Sequence, residues 1–465
     1  MLEVADPSGA RATPGTGTGA IVALVQNLNW DALDADVKHV AKRHFLDTLG
    51  VIIAGSSGDL AGRAEAVLAK VRAAGRIPVP GRQRRADLLD AAYIAGTAGH
   101  GIELDDGYRR GSVHPGVVTV PAIIALGYEA GISGRSALEA VVIGYETVIA
   151  IARACHPDLR QRGFHPTGTV GVFGAAAASA RLLALPTEQV SNALGIAASS
   201  AAGLFAFING GADVKRLHAG HASREGLQSA LQAQNGIEGP PHVLEARDGF
   251  TQAFAFGRNG KNLSIELPPT VPFCITDCYV KPYACCRHIQ PAVEALIELM
   301  NDNKLSVKDV RDVKVDTYSI AAEHAHTGWR DYASAQLSFP YIMALGMKHR
   351  WIKVEHFESE TRLDPEMAGL GSLVHVNATA EMDRLYPANR PARVTITTDR
   401  GTFEKQAMEA LGAREVPLDD RGLGAKFHDL VDPVLGQDRA DKLLDRLWHL
   451  DKLDDIRSLL DSTVR

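Results

Sequence analysis

The sequence predicts a mainly α-helical protein with a smaller α+β part, and three observations carry that reading. From about Ile21 to Ala233, apolar residues recur at three- and four-residue spacing between short Gly, Pro or Asn breaks, which is the period of amphipathic helices. After about Pro268, short runs rich in β-branched residues enter between helical stretches. From about Phe427 to Leu460, helical periodicity returns with dense charge on the opposite face. At 465 residues the chain exceeds what one hydrophobic core usually holds, so two domains are expected.

Met1 to Thr18 is rich in Gly, Ala, Pro and Thr and lacks the apolar stretch of a secretory signal, so it reads as a disordered tail. Helices are expected over Val37–Leu49, Ala86–Ala98, Arg135–Ala154, Gly171–Leu185 and Arg224–Ala233. Gly174–Ala180 and Ala197–Gly203 carry almost no bulky side chains, so helices there can approach closely; packing is the reading for these runs. The apolar run Val117–Leu126 contains Pro121 and is too short to span a membrane. In the second part, Gln290–Asn301 and Gln336–Met347 read as helices and Val310–Tyr318 and Ala392–Thr398 as strands. The expected division is a helical domain from residues 19–268 and 408–465 and an α+β domain over 269–407.

Hydrophobic residues make up 46% of the chain and charged residues 22%, an ordinary globular composition. The net charge of -6 comes without a dense Lys/Arg block, which argues against a nucleic-acid partner. Five cysteines without a signal-like sequence point to free thiols in a reducing compartment, the cytoplasm.

Four polar clusters stand out. Gly99–Gly116 gathers three carboxylates, two arginines and two histidines in one glycine-punctuated loop. A single Asp or His there would cap a helix or bind water; the density suggests chemistry. Gly163–Thr169 places His165 before Pro166 at a helix entrance, beside free backbone N–H groups that suit a carboxylate. Asn209–Ser223 sets Lys215 and His218 three residues apart, on one face of a helix beginning near Asp213, with small residues around them. A solvated charged turn is the competing reading. Lys281–Pro291 joins Cys285, Cys286, Arg287 and His288, with Cys274 and Cys278 upstream. These residues invite a zinc site, but the spacing lacks paired Cys-x-x-Cys knuckles and matches an iron–sulfur run no better. There is no phosphate loop or dinucleotide fingerprint. The expectation is chemistry without metal or cofactor.

In order and spacing, these clusters resemble the MmgE/PrpD family across nearly the whole chain. The motifs that carry the resemblance are His44–Gly50, the acidic loop ending in His114-Pro115-Gly116, Phe164–Gly168, Lys215-x-x-His218, Lys281-x-Tyr283-x-x-Cys286 and Ser334–Tyr341. The resemblance implies a large all-helical domain built from both chain ends, a smaller α+β lid inserted between them, and a homodimer. It also implies an active site in the intervening cleft, with Glu103, Asp106, His114, His165, Lys215 and His288 in it. Family activities include 2-methylcitrate dehydration, cis-aconitate decarboxylation and iminodisuccinate epimerisation. The decarboxylase branch reads Asp-Phe-Asp-Asp-Thr in the acidic loop, whereas this chain has Glu103-Leu-Asp-Asp-Gly107 and one extra residue before His114. That departure speaks against cis-aconitate decarboxylation, and the loop is also unlike that of the long-form methylcitrate dehydratases; among the family activities a 2-methylcitrate-like dehydration is the first expectation and the other two are the next. A non-catalytic binding protein on the same fold is the alternative of another class.

All three reactions develop charge beside a carboxylate, so they need a cationic partner and a positioned acid or base. Lys215 and Arg287 suit the cationic task. His114 is the preferred proton-transfer group because imidazole titrates near working pH. Lys215 is an alternative acid if burial lowers its pKa. The expected catalytic set is His114, Lys215, Glu103 and His288; the expected binding set for a small di- or tricarboxylate is Asp106, His165, Arg287, His218 and Lys281.

Overall fold

The computed structural model describes residues 17–209, 212–255 and 264–465. Among the described residues, nine longer helices form the first part: α1 (Gly17–Asn27), α2 (Ala35–Ser56), α3 (Asp59–Ala69), α4 (Leu88–His100), α5 (Gly116–Ala130), α6 (Gly134–Cys155), α7 (Pro166–Leu182), α8 (Thr187–Ser199) and α9 (Val214–Gln234). Of the expected tail, residues 1–16 lie outside the described residues. The other two open α1, where Thr18 is buried and donates its hydroxyl proton to Glu245 at 2.7 Å. Phe45, Leu46, Leu49, Ile52 and Ile53 give α2 a fully buried face, as the periodicity requires. Asp87 caps α4 and Ser133 caps α6, each accepting from a first-turn backbone N–H. Helix α7 begins five residues before the expected Gly171, because Pro166 takes a first-turn position that needs no N–H.

The run Gly174–Ala180 lies on α7 where α9 packs, and α9 also packs on α4. A Cβ at Gly226 of α9 would sit 2.4 Å from the Val172 carbonyl oxygen of α7, and one at Gly220 would sit 2.3 Å from Thr97 Oγ1 of α4. Side chains at these positions would force the helices apart.

In the second part, β1 (Val310–Thr317), β2 (Val374–Ala378), β3 (Ala392–Thr398) and β4 (Gly401–Ala407) form one sheet in the order β2-β1-β3-β4. Strands β1 and β2 are parallel, and the other pairs are antiparallel with β3 and β4 as a hairpin. Along β3, Ala392, Val394, Ile396 and Thr398 are buried in strict alternation. Helix α10 (Gln290–Asp302) packs on β3, β4 and α11 (Phe339–His349). Helix α11 starts at Phe339 rather than the expected Gln336, with Ser338 at the cap position and Pro340 in its first turn. All four strands fall inside the segment 269–407.

The chain then returns to the first part. Helices α12 (Asp420–Leu435) and α13 (Gln437–Trp448) pack on α2. Buried Lys426 of α12 lies 2.6 Å from Asp47 of α2 and donates to the Leu104 carbonyl at 2.9 Å, which ties the C-terminal helices to the loop after α4. Among the described residues, no helix is long and apolar enough to cross a membrane.

Candidate active site

The loop between α4 and α5 builds the centre of the site. Two of its residues, Glu103 (φ 55°) and Ser112 (φ 49°), hold left-handed backbone conformations, which cost a non-glycine residue about 1–2 kcal/mol. Tertiary contacts hold the first in place. The Glu103 carbonyl accepts from Lys281 Nζ at 3.1 Å, its Oε2 lies 3.3 Å from the same ammonium, and its Oε1 touches Lys215 Nζ. One carboxylate therefore sits between two buried lysines that are far apart in sequence.

Two residues on, Asp105 is fully buried. Its Oδ2 accepts from His100 Nδ1 at 2.8 Å and lies 3.1 Å from His114 Nδ1, while its Oδ1 is 3.6 Å from Lys281 Nζ. His114 Nδ1 also donates to the Asp106 carbonyl at 2.6 Å. A carbonyl only accepts, so Nδ1 keeps its proton and Nε2 is the nitrogen left to titrate. His165 caps the start of α7, and its Nδ1 lies 2.9 Å from His218 Nδ1, so that contact holds a single proton. Lys215 and His218 share a helix face on α9, as their spacing predicts.

These groups open onto a cavity of about 460 Å³, a usual size for a small-molecule site. Glu103, His114, His165 and Lys215 line it from the helical part. Lys281, Cys286, Arg287 and His288 line it from the segment that leads into α10. Two expected binding residues are placed elsewhere. The Asp106 carboxylate turns behind the loop, where it accepts from Tyr145 Oη at 2.7 Å and the Gly116 N–H at 3.0 Å and lies 3.1 Å from His44 Nδ1. It fixes the start of α5. His218 stands behind His165. Arg287 reaches the cavity, but it donates to Gln290 Oε1 at 2.7 Å and to the Leu411 and Ala410 carbonyls at 2.8 Å. The His288 ring is oriented by a hydrogen bond between its Nδ1 and Tyr318 Oη.

Burial and neighbouring charge set the protonation states. Burial drives His100 down to about 4 despite Asp105, and it pushes His165 and His288 well below the ordinary imidazole range. Burial also opposes a charged His114, but the Asp105 carboxylate outweighs it and holds the imidazole up at about 9. Conversely, burial would raise Asp105, and the His114, His100 and Lys281 charges keep it well below the carboxylate range. Burial, then the Lys281 ammonium, pushes Lys215 down to about 7, while the nearby Cys286 sulfur works the other way. At neutral pH the cavity thus presents a charged His114 and a Lys215 near its midpoint.

Several residues of the site are absent from the catalytic and binding sets expected from the sequence. Asp105 and His100 lie inside the cluster singled out there, yet nothing local chose Asp105 over Asp106. Cys286 Sγ lies 3.6 Å from His324 Nε2; burial would raise this thiol, but the imidazole partner outweighs it and brings it down to about 6. His324, Tyr386, Arg390 and Arg160 also line the cavity, from short helical turns and connecting segments that carry no motif. Among the described residues, two groups have the reach to hold a metal ion, His100/Asp105/His114 and His44/Asp106/Cys278. In the first, the Lys281 ammonium already faces Asp105 and opposes a cation. All five cysteines are buried free thiols.

Residues 19–262 match the MmgE/PrpD N-terminal domain and residues 283–450 the MmgE/PrpD C-terminal domain. The chain is 28% identical over 473 residues to a cis-aconitate decarboxylase of Aspergillus terreus, covering 96% of this chain and 95% of the relative. It is 26% identical over 471 residues to a cis-aconitate decarboxylase-like protein of Aspergillus oryzae, covering 96% and 97%. With the cis-aconitate decarboxylase of Mus musculus it shares 24% over 473 residues, covering 94% and 91%. With both domain models matched in order along the same chain, this protein belongs to the MmgE/PrpD family.

Proposed function

We propose that this protein is a lyase that acts on a small di- or tricarboxylic acid by proton transfer at a carbon next to a carboxylate. The observation that carries the reading is the pairing, in one cavity, of a Lys215 near its midpoint with a His114 held charged by Asp105. A near-neutral lysine takes or gives a proton at carbon at working pH. A buried imidazolium faces the negative charge that develops on the substrate. Glu103, anchored by Lys281, orients Lys215. His165 and His288, both neutral, supply hydrogen bonds to bound carboxylates.

The same groups serve two reactions. In a 2-methylcitrate-like dehydration, Lys215 as the free amine takes the proton next to a carboxylate. The C–O bond breaks on the neighbouring carbon, and the hydroxyl leaves as water with the His114 Nε2 proton. In a cis-aconitate-like decarboxylation, a C–C bond breaks to release CO2, the electron pair is delocalised toward a second carboxylate, and the Lys215 ammonium protonates the carbon. The Glu103-Leu-Asp-Asp-Gly107 loop departs from the decarboxylase pattern and so speaks against the second reading. The names of the full-length relatives favour the second. We also propose a cytoplasmic homodimer with residues 269–407 as its lid, which light scattering of the purified protein checks for subunit number.

Proton NMR in D2O separates these reactions, with 2-methylcitrate, citrate, cis-aconitate and aspartate-type diacids in separate samples. Loss of water, loss of CO2 or deuterium exchange names the chemistry, and Lys215→Ala abolishes it. Silence on every acid, or turnover that survives Lys215→Ala, refutes the proposal.

A further inference from the structure

Arg390, just before β3, carries a buried guanidinium that forms no ion pair within 4.0 Å among the described residues and has the Tyr279 ring beside it. The residue is 3% exposed, and its Nε and Nη1 are buried with no hydrogen-bond acceptor. Among the described residues, no carboxylate lies within 4.0 Å of its guanidinium. Glu409 is committed elsewhere, since its Oε1 contacts Arg109 and accepts from the backbone N–H of Arg390 itself. Other buried arginines of the chain are engaged. Arg287 bonds to two carbonyls and Gln290, and Arg216 bonds to Asp213 and Gln336. An arginine cannot escape such a position by losing its proton, and a buried charge without a counter-ion is destabilising.

The place where this charge sits gives it a purpose. Arg390 lines the reaction cavity at the end formed by Tyr386, Pro387, His288 and Arg160. The Arg160 guanidinium lies over the Phe205 ring, 3.4 Å from its centroid, and no ion pair within 4.0 Å holds it among the described residues. Tyr279 presents its ring 5.4 Å from the Arg390 guanidinium carbon and leaves the donor edge unspent. This end of the cavity therefore carries two guanidinium groups, and Glu323, the carboxylate that lines the cavity near Arg160, forms no ion pair within 4.0 Å with either of them among the described residues. The other end carries Lys215, His114 and the Glu103 carboxylate, with Asp105 behind His114.

We infer that Arg390, assisted by Arg160, is the receptor for a second carboxylate of the substrate, remote from the carbon at which the reaction occurs. The planar donor fork of a guanidinium matches the two oxygens of a carboxylate, and the pair is strong where water is excluded. The counter-ion missing from the free protein is then brought by the substrate. It follows that Arg390 is a specificity residue that makes a carboxylate at each end a requirement, so a monocarboxylate that fits the reacting end alone binds poorly. The inference rests on the proposed reaction only for the identity of the reacting end; binding by itself tests the subsite.

Isothermal titration with propane-1,2,3-tricarboxylate, an unreactive saturated acid, and with butyrate tests this on wild type, Arg390→Gln and Arg390→Lys. The expected result is wild-type binding of the tricarboxylate, weakened about 10- to 100-fold by Arg390→Gln and partly recovered by Arg390→Lys, which keeps the charge without the fork. Butyrate should bind all three proteins equally weakly. A second readout separates a receptor from a structural arginine. Because the free protein bears an unpaired buried charge, ligand-free Arg390→Gln should melt at or above the wild-type temperature, whereas loss of a structural arginine lowers it. Unchanged tricarboxylate affinity in Arg390→Gln, wild type that does not bind the tricarboxylate, or a lowered melting temperature in both variants overturns the inference. Tricarboxylate binding through Arg390 with no turnover of any acid would refute the proposed reaction and leave the subsite standing. Turnover with an unchanged KM in Arg390→Gln would do the reverse.

Discussion

Replacing Asp105 by Asn removes the charge that holds His114 protonated and leaves the shape of the loop nearly intact. Burial alone pulls an imidazolium down, so without the carboxylate the pKa of His114 should fall from about 9 to its ordinary value of about 6.5 or below. That difference of about 2.5 units corresponds to roughly 3 kcal/mol of differential stabilisation of the charged form. At pH 7.5 the fraction of charged His114 drops from about 97% to at most about 10%. Histidine side-chain NMR over pH 5–10, with the His114 signal assigned by His114→Gln, reads the midpoint directly. A midpoint in Asp105→Asn within half a unit of the wild-type value would refute the electrostatic reasoning. Stability gives an independent check with a definite sign. The folded-state pKa of His114 is raised, so its contribution is fully present below about 6.5 and is lost as pH rises through about 9. Wild type should therefore lose up to roughly 3 kcal/mol across that window, and Asp105→Asn should not show this fall.

Two further predictions concern the support of the site. Lys426→Met strands the buried Asp47 carboxylate, which lies 2.6 Å from the ammonium, and should cost about 3–5 kcal/mol in urea denaturation; Lys426→Met combined with Asp47→Leu should recover most of the loss. Burial raises Glu146 to about 7, against the hydrogen bond it accepts from the Ile275 N–H at 2.7 Å. The native state then binds a proton that the unfolded chain releases near 4.5, so stability falls as pH rises from about 4.5 to 7, by roughly 3 kcal/mol. Glu146→Gln keeps the acceptor without the charge. Its melting temperature should exceed that of wild type at pH 8 and match it at pH 4.5, and equal gains at both values would contradict the assignment.

Periodicity is local, and what it marked is present. Helices α2, α6 and α10 and strand β3 cover the segments read from the sequence, and α4 and β1 cover theirs except for Ala86, Asp87 and Tyr318, because a buried face repeats with the period of the element that buries it. Strands β2 and β4 lie at the two edges of the sheet and are largely exposed, so Val374–Ala378 and Gly401–Ala407 carry no such repeat. The small-residue runs read as helix contacts, and Gly226 and Gly220 lie at such contacts, because close approach excludes every larger side chain.

For the site, the residue types and their order already marked Glu103, His114, His165, Lys215, Lys281 and His288, and the structure brings these six to one cavity. What only the tertiary structure decided is direction. Asp105 and Asp106 are neighbours, yet one faces two histidines and Lys281 while the other faces Tyr145 and the start of α5. The left-handed turn at Glu103, held by a lysine 178 positions away, sets which carboxylate points where. His324, Tyr386 and Arg390 likewise gain meaning only when the sheet region folds against the helices. A charge pair or an unpaired charge is a property of the space between segments, and no window of sequence contains that space.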